Sequence, residues 1–182
     1  MTTYIIFTAL SIPVIIISWR TLFDTRSHGF YRFLGWECIL WLFAHNYPYW
    51  FHNPFSVRQI FSWVFLVFSA YVLVAGIVQM KKGRGSGRVG RQKTLYRFEE
   101  TSLLVDTGIF RYIRHPLYSS LLFLTWGILL KNISLHLLII SVFSTVFLIV
   151  TALIDEKECK DYFGEAYYLY MKRTRMFIPY LI

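Results

Sequence analysis

The sequence predicts an all-α integral membrane protein of about five transmembrane helices. The last two form a helical hairpin, and a cytosolic helical segment follows at the C-terminus. Three observations predict this. Apolar residues make up 56% of the 182 positions and fall in long blocks, as a lipid-facing chain requires. Charged residues make up 16%, where a soluble domain carries about a quarter. The 19 Lys and Arg crowd onto alternate connections between the blocks.

The blocks run, in order, over about 3–19, 33–51, 59–80, 117–130 and 135–154. Most are long enough to cross roughly 30 Å of hydrocarbon at about 1.5 Å per helical residue. The first opens with "MTTYIIF" and has no positive n-region, so it is not expected to be a signal peptide. The second carries Glu37 near one end, a depth at which a carboxylate is tolerated when it snorkels or finds a partner. The fourth block is short. Only "KNIS" separates it from the fifth, which makes the pair a tight hairpin whose first arm need not span fully.

Sidedness follows from the cations. Segments 20–32, 81–116 and 155–182 hold 17 of the 19 Lys and Arg, leaving Arg58 and Lys131 on the other side. Under the positive-inside rule the N-terminus lies outside and the C-terminus in the cytosol. The net charge of +9 is thus spent on a membrane surface, and nucleic acid is not an expected partner. Cys38 and Cys159 lie far apart without ligand spacing, so neither a disulfide nor a metal site is expected. "KKGRGSGRVGRQK" (81–93) fits neither a phosphate-binding loop nor a dinucleotide turn, and reads as a flexible cytosolic loop held near anionic lipid.

The chemistry gathers in two stretches. In "GIFRYIRHPLYSS" (108–120) a histidine precedes a proline, which pushes its backbone toward extended geometry. Pro116 suits the first position of a helix, where its missing N–H leaves nothing unpaired. His115 is therefore expected near the N-cap and Tyr118 in the first turn. Arg111 and Arg114 add positive potential to a helix start that already favours an anion.

The second stretch is "DEKECKDYFGEAYYLYMKRTRMFIP" (155–179), whose leading Asp155 and Glu156 follow directly on Ile154. Carboxylates at that border need a partner or a function. The hairpin returns the chain to the side it left, so this acidic pair is expected to face Arg114 and His115, in a mutual ion pair or around a ligand. Phe163–Gly164 reads as a helix break, and Tyr167 and Tyr170 lie on one face of the helix after it, for packing or for a ligand. "FIP" ends that segment.

Together these residues resemble the isoprenylcysteine carboxyl methyltransferase family, within the wider group of membrane methyltransferases that includes phospholipid N-methyltransferases. The resemblance rests on Gly108, Arg114, His115, Pro116 and Tyr118, then Asp155 and Glu156, then Phe163, Gly164, Tyr167, Tyr170 and Pro179. It covers roughly residues 95 to 182. Asp155 stands where the family has Glu, and Met176 stands where some members have Arg. Residues 1–80 match in hydropathy only.

The resemblance implies methyl transfer from S-adenosylmethionine to a lipophilic acceptor, a small molecule or a prenylated chain, at the cytosolic membrane face. The acceptor reaction it most resembles is carboxyl O-methylation of a protein isoprenylcysteine, with phospholipid N-methylation or lipophilic thiol S-methylation as alternatives; the non-enzymatic alternative is a membrane structural or transport protein with a basic inner face. A single membrane domain (1–182) is expected, with three spans in 1–80 and the catalytic, donor-binding half in 81–182. Glu156 and Arg114 take catalytic roles. Gly108, Tyr112, Arg114, His115, Pro116, Tyr118, Glu156, Tyr167 and Tyr170 are the expected donor contacts, with Arg114 countering the donor's carboxylate. Glu37 is either a paired residue near the inner interface or a polar group at the acceptor entrance.

Overall fold

The computed structural model describes residues 1–82 and 104–179. Of the basic Gly-rich segment 81–93, all but Lys81 and Lys82 lies outside the described residues. Six helices are present among them: α1 (Thr2–Ser18), α2 (His28–Asn46), α3 (Val57–Lys82), α4 (Pro116–Leu129), α5 (Leu135–Phe163) and α6 (Glu165–Arg173). Short 3-10 turns cover Tyr47–Tyr49 and Gly108–Arg111. The described residues contain no strand, only one isolated parallel bridge between Ile113 and Arg175.

The helices are arranged polar-inward and apolar-outward. On α3 the buried positions are Gln59, Ser62, Ser69, Val72 and Gly76, while Ile60, Phe61, Val64, Val67 and Tyr71 are exposed. A soluble fold reverses this, and large exposed apolar faces need a cover. Two helices, α3 and α5, are long and apolar enough to cross a membrane by length and composition. Helices α1 and α4 are apolar but shorter; α4, at 14 residues, reaches about 21 Å.

Small residues and hydroxyls join the helices. Helix α3 lies along α4, and α2 along α5. Ser62 donates its hydroxyl proton to the carbonyl of Gly127 and Ser69 to that of Ser120, both at 2.7 Å. A Cβ on Gly127 would sit 3.0 Å from Leu66, and one on Gly76 would sit 3.3 Å from Pro116. Close approach of backbones through small residues, with hydroxyl-to-carbonyl bonds between helices, is how apolar helices associate where lipid is as greasy as leucine.

Two apolar blocks end elsewhere as helices. Helix α2 begins at His28, five residues ahead of the block at 33–51, and stops at Asn46. Hydropathy misses its first turn because His28 and Arg32 are polar, yet both are buried against protein. It stops where Pro48 begins a 3-10 turn. Helix α5 continues nine residues past the block at 135–154, to Phe163. Nothing in "DEKECKDYF" breaks a helix, and Gly164, at φ +57°, supplies the first break. At 29 residues α5 is about 43 Å long, so its last turns pass beyond a bilayer's apolar core and carry Asp155 and Glu156 on a rigid rod.

Candidate active site

His115 is the N-cap of α4 and Pro116 its first residue, as the local sequence dictates. The segment leading to it is held by the chain's C-terminal stretch. Arg175 N–H donates to the Tyr112 carbonyl at 3.0 Å, Arg114 N–H to Arg175 at 2.8 Å, and His115 N–H to Met176 at 3.1 Å. Ser119 adds a bond from its hydroxyl to the Phe177 carbonyl. Residues 174–177 are therefore a clamp on the histidine segment, a role that hydropathy and motif spacing do not reveal.

Opposite this segment stands α5. Arg114 Nε donates to Glu156 Oε1 at 2.7 Å, and Nη1 donates to the carbonyls of Thr174 at 2.6 Å and Met171 at 3.4 Å. The imidazole of His115 lies between the two acids: Nδ1 is 3.5 Å from Asp155 Oδ2, and Nε2 is 3.5 Å from Glu156 Oε1. Nε2 is buried and makes no hydrogen bond among the described residues. Burial alone would drive this ring neutral; the carboxylates of Asp155 and Glu156 on its two sides outweigh it and hold its pKa above the ordinary imidazole value. The two stretches some forty positions apart thus meet, as the hairpin requires.

Helix α6 closes the third side. Gly164 takes a backbone conformation that a side chain would strain, at φ +57° and ψ −134°. The turn sends Tyr167 and Tyr170 inward. Tyr170 donates its phenolic proton to the Phe110 carbonyl at 2.7 Å, and burial pushes both phenols' pKa values upward.

Between these walls lies a cavity of about 670 Å³, partly open to solvent. Its polar lining comes from Arg114, His115, Asp155 and Cys159, and its aromatic lining from Phe110, Tyr118, Phe163, Tyr167 and Tyr170. The mix of apolar walls with a few converging polar groups is typical of small-molecule sites.

Several expected residues stand differently. Arg114 lines the cavity while its Nε and Nη1 are bonded to Glu156 and two carbonyls, so it also braces the cluster. Glu156 is buried behind Arg114 and His115, while Asp155 lines the cavity. Tyr112 is half exposed and faces a second hollow on the far side of the segment. Gly108 lies there too. Its φ is +60°, and a Cβ would collide with the Gln79 side chain, so it serves backbone geometry and not the His115 cavity.

The residues that the motif alone misses are Phe110, Cys159 and His28. Cys159 follows Asp155 by one helical turn, a pairing visible once α5 is extended past Ile154. His28, fully buried at the start of α2, sets Nδ1 2.7 Å from Glu158 Oε2. With Asp155 these atoms converge within 4.8 Å of one another, which ties the N-terminal helices to the site. No local pattern announces that contact. Glu37 accepts a hydrogen bond from the Ser11 hydroxyl at 2.7 Å, joining α1 to α2.

Residues 64–166 match the family model described as phospholipid methyltransferase. The methanethiol S-methyltransferase 1 of Bradyrhizobium diazoefficiens is 32% identical over 92 residues, covering 50% of this chain and 30% of that protein. The methanethiol S-methyltransferase of Crocosphaera subtropica is 35% identical over 95 residues, covering 50% and 36%. That of a Pseudomonas species is 26% identical over 83 residues. The chain thus aligns with only about a third of each relative's length. No solved structure matches it significantly. The family match covers more than half the chain and contains α4, α5 and the paired clusters they carry; the chain belongs to the phospholipid methyltransferase family.

Proposed function

We propose that this protein is an S-adenosylmethionine-dependent methyltransferase, embedded in a membrane as a single domain, that methylates a lipophilic acceptor at the cytosolic face. Its N-terminus would lie outside and its C-terminus in the cytosol, since the cations gather at the end of the bundle that holds the cavity. The observation that carries the reading is the convergence of Arg114, His115 and Asp155 on one cavity walled by Phe110, Phe163, Tyr167 and Tyr170. A few convergent polar groups set among apolar walls are the usual form of a small-molecule site.

The residues fit the donor. Asp155 matches its ammonium or ribose hydroxyls, His115 offers a donor N–H to an anionic or hydroxyl oxygen, and Phe110, Phe163 and Tyr167 give a purine flat apolar surfaces. When bound, S-adenosylmethionine supplies an electrophilic methyl group on a sulfonium. The chain's own part is then alignment and electrostatics. Arg114 and Glu156 fix His115 and Asp155, the aromatic walls exclude water, and near-attack positioning of this kind is worth about 7–11 kcal/mol.

For the acceptor, the thiol reading has the better support, because the named relatives are methanethiol S-methyltransferases. A thiol must lose its proton. Asp155 is the carboxylate that lines the cavity and can receive it. A prenylcysteine carboxylate is already ionised at neutral pH and needs no base. The family match contains the cavity lining from Met80 to Phe163 and omits Tyr167, Tyr170, α1 and α2, so the acceptor is a matter for direct assay.

The test is calorimetric titration of detergent-purified protein with S-adenosylhomocysteine. Binding is expected, weakened at least about tenfold, or 1.4 kcal/mol, by His115→Ala and by Glu156→Gln. Absence of binding to the wild type overturns the reading. Alkyl thiols, prenylated cysteines and phosphatidylethanolamine are then compared as acceptors, with turnover expected on the thiols.

A further inference from the structure

The histidine segment has a second face. Phe110, Arg114 and His115 line the cavity described above, whereas Ile109, Arg111, Tyr112 and Ile113 line a different hollow. That hollow is a groove of about 1380 Å³, partly open to solvent, and the two cavities share no lining residue. Its floor is apolar: Phe68, Val72 and Ala75 from α3, Phe123 from α4 and Phe177 from the C-terminal clamp. At its end the groove runs into a smaller basic hollow, with which it shares Arg111, Tyr112 and Pro179. Lys172, Arg173 and Arg175 complete the basic rim.

Among the described residues the charges there are unbalanced. Arg173 pairs with Asp106. The side chains of Arg111, Lys172 and Arg175 make no ion pair among the described residues. Three cations with no counter-ion among the described residues, set at the mouth of an apolar groove between two membrane helices, complement a molecule with an anionic head and a hydrocarbon tail. A soluble anion would leave the groove uncovered, and a neutral lipid would leave the cations unmatched.

We infer that this face binds one anionic phospholipid, its phosphate over Arg111 and Arg175 and one acyl chain lying in the groove between α3 and α4. The site is separate from the donor cavity and independent of the methyltransferase reading. Because the 111–115 segment is the wall between the two, a seated lipid also steadies the strip from which His115 projects. Cations of this kind draw anionic lipid through surface potential in general; the groove makes the contact one lipid deep and stoichiometric.

The experiment is native mass spectrometry of the full chain in detergent, titrated with phosphatidylglycerol, with phosphatidylcholine of the same chains, and with water-soluble glycerophosphoglycerol. One phosphatidylglycerol is expected to bind at least about fivefold more tightly than phosphatidylcholine. The double variant Arg111→Gln/Arg175→Gln is expected to erase that preference, and Ala75→Trp, which fills the groove, to weaken both lipids. Both variants alter exposed or groove-lining side chains, and an unchanged unfolding temperature marks them as folded. Equal binding of the two lipids, full preference in the double variant, or glycerophosphoglycerol competing as well as the lipid overturns the proposal. None of these readouts involves S-adenosylhomocysteine, so failure here and failure of the donor reading are separate results.

Discussion

Helix α4 has a buried cation at each end, and the two are treated in opposite ways. Past its C-terminus, Lys131 is fully buried. Its Nζ donates to Gln59 Oε1 at 3.0 Å and lies 3.6 Å from the centroid of the Trp63 ring and 5.2 Å from that of Trp50. Gln59 in turn donates to the carbonyls of Tyr49 and Lys131, so the cluster is closed on itself. At the N-terminus, Arg114 and His115 face Asp155 and Glu156, but the histidine keeps a nitrogen without a hydrogen bond and opens onto a cavity. The closed end explains itself as structure; the open end calls for a ligand. Burial of charge by itself therefore does not mark a site, and incomplete satisfaction beside a cavity does.

The largest effect expected of any single change falls on the brace. Arg114→Ala leaves Glu156 buried without its partner, and breaking a buried pair from one side destabilises by about 3–5 kcal/mol. Thermal unfolding in detergent should register this loss, and S-adenosylhomocysteine binding should vanish with it. An unfolding temperature near that of the wild type would mean that the open end is held by something else.

The Lys131 end should behave as structure alone. Lys131→Met loses a charge-assisted hydrogen bond and the contact with Trp63, about 2 kcal/mol, and S-adenosylhomocysteine affinity should stay within about twofold. Its pH signature is also distinct. Burial pushes the Lys131 pKa down to about 8, below the ordinary lysine value near 10.4. Between those values the unfolded chain carries the extra proton, so wild-type stability rises as pH climbs from about 8 to about 10.4. Lys131→Met should flatten that rise. A flat wild-type profile would show that the ammonium is not excluded from water.

His115 should titrate with the opposite sign. Its pKa is raised in the folded protein, so its contribution to stability is complete below the ordinary value near 6.5 and is lost as pH rises through the folded value. His115→Gln should remove the decline on that side of neutrality while sparing the lysine's rise at higher pH. If both slopes change together, the two ends are coupled, and the contrast between them fails.

Much of the open end was legible in the residues. The proline after His115 fixes the helix start, and a hairpin that returns to its side forces residues 155–156 toward residues 114–115. The exact pairing was not. Asp155 and Glu156 are adjacent, and which one faces the cavity depends on the rotation of α5 over 29 residues, which no local pattern records. The apolar blocks located α1 to α5 but misplaced the ends of α2 and α5, because hydropathy reports contact with lipid while a helix continues until its backbone is broken; α6 carries no such block and is read from the break at Phe163–Gly164. The clamp of 174–177 on 112–115 and the reach of His28 to Glu158 are long-range pairings with no signature in either stretch. The closed end was likewise invisible: Lys131 counted only as one of two cations on the outer side.

The smallest effect separates shape from ligand contact inside the open end itself. Tyr170 is almost wholly buried and bonds the Phe110 carbonyl at 2.7 Å, so its hydroxyl is as satisfied as the Lys131 ammonium. Tyr170→Phe leaves that carbonyl without the bond, a loss of about 1 kcal/mol in unfolding free energy. If the phenol serves only to pin α6 to the 3-10 turn at Gly108–Arg111, S-adenosylhomocysteine affinity should move by less than about threefold, or 0.7 kcal/mol. A tenfold loss of affinity with stability unchanged would instead place the hydroxyl on the ligand. The boundary between the satisfied and unsatisfied parts of the cluster would then lie at α6 and not at His115.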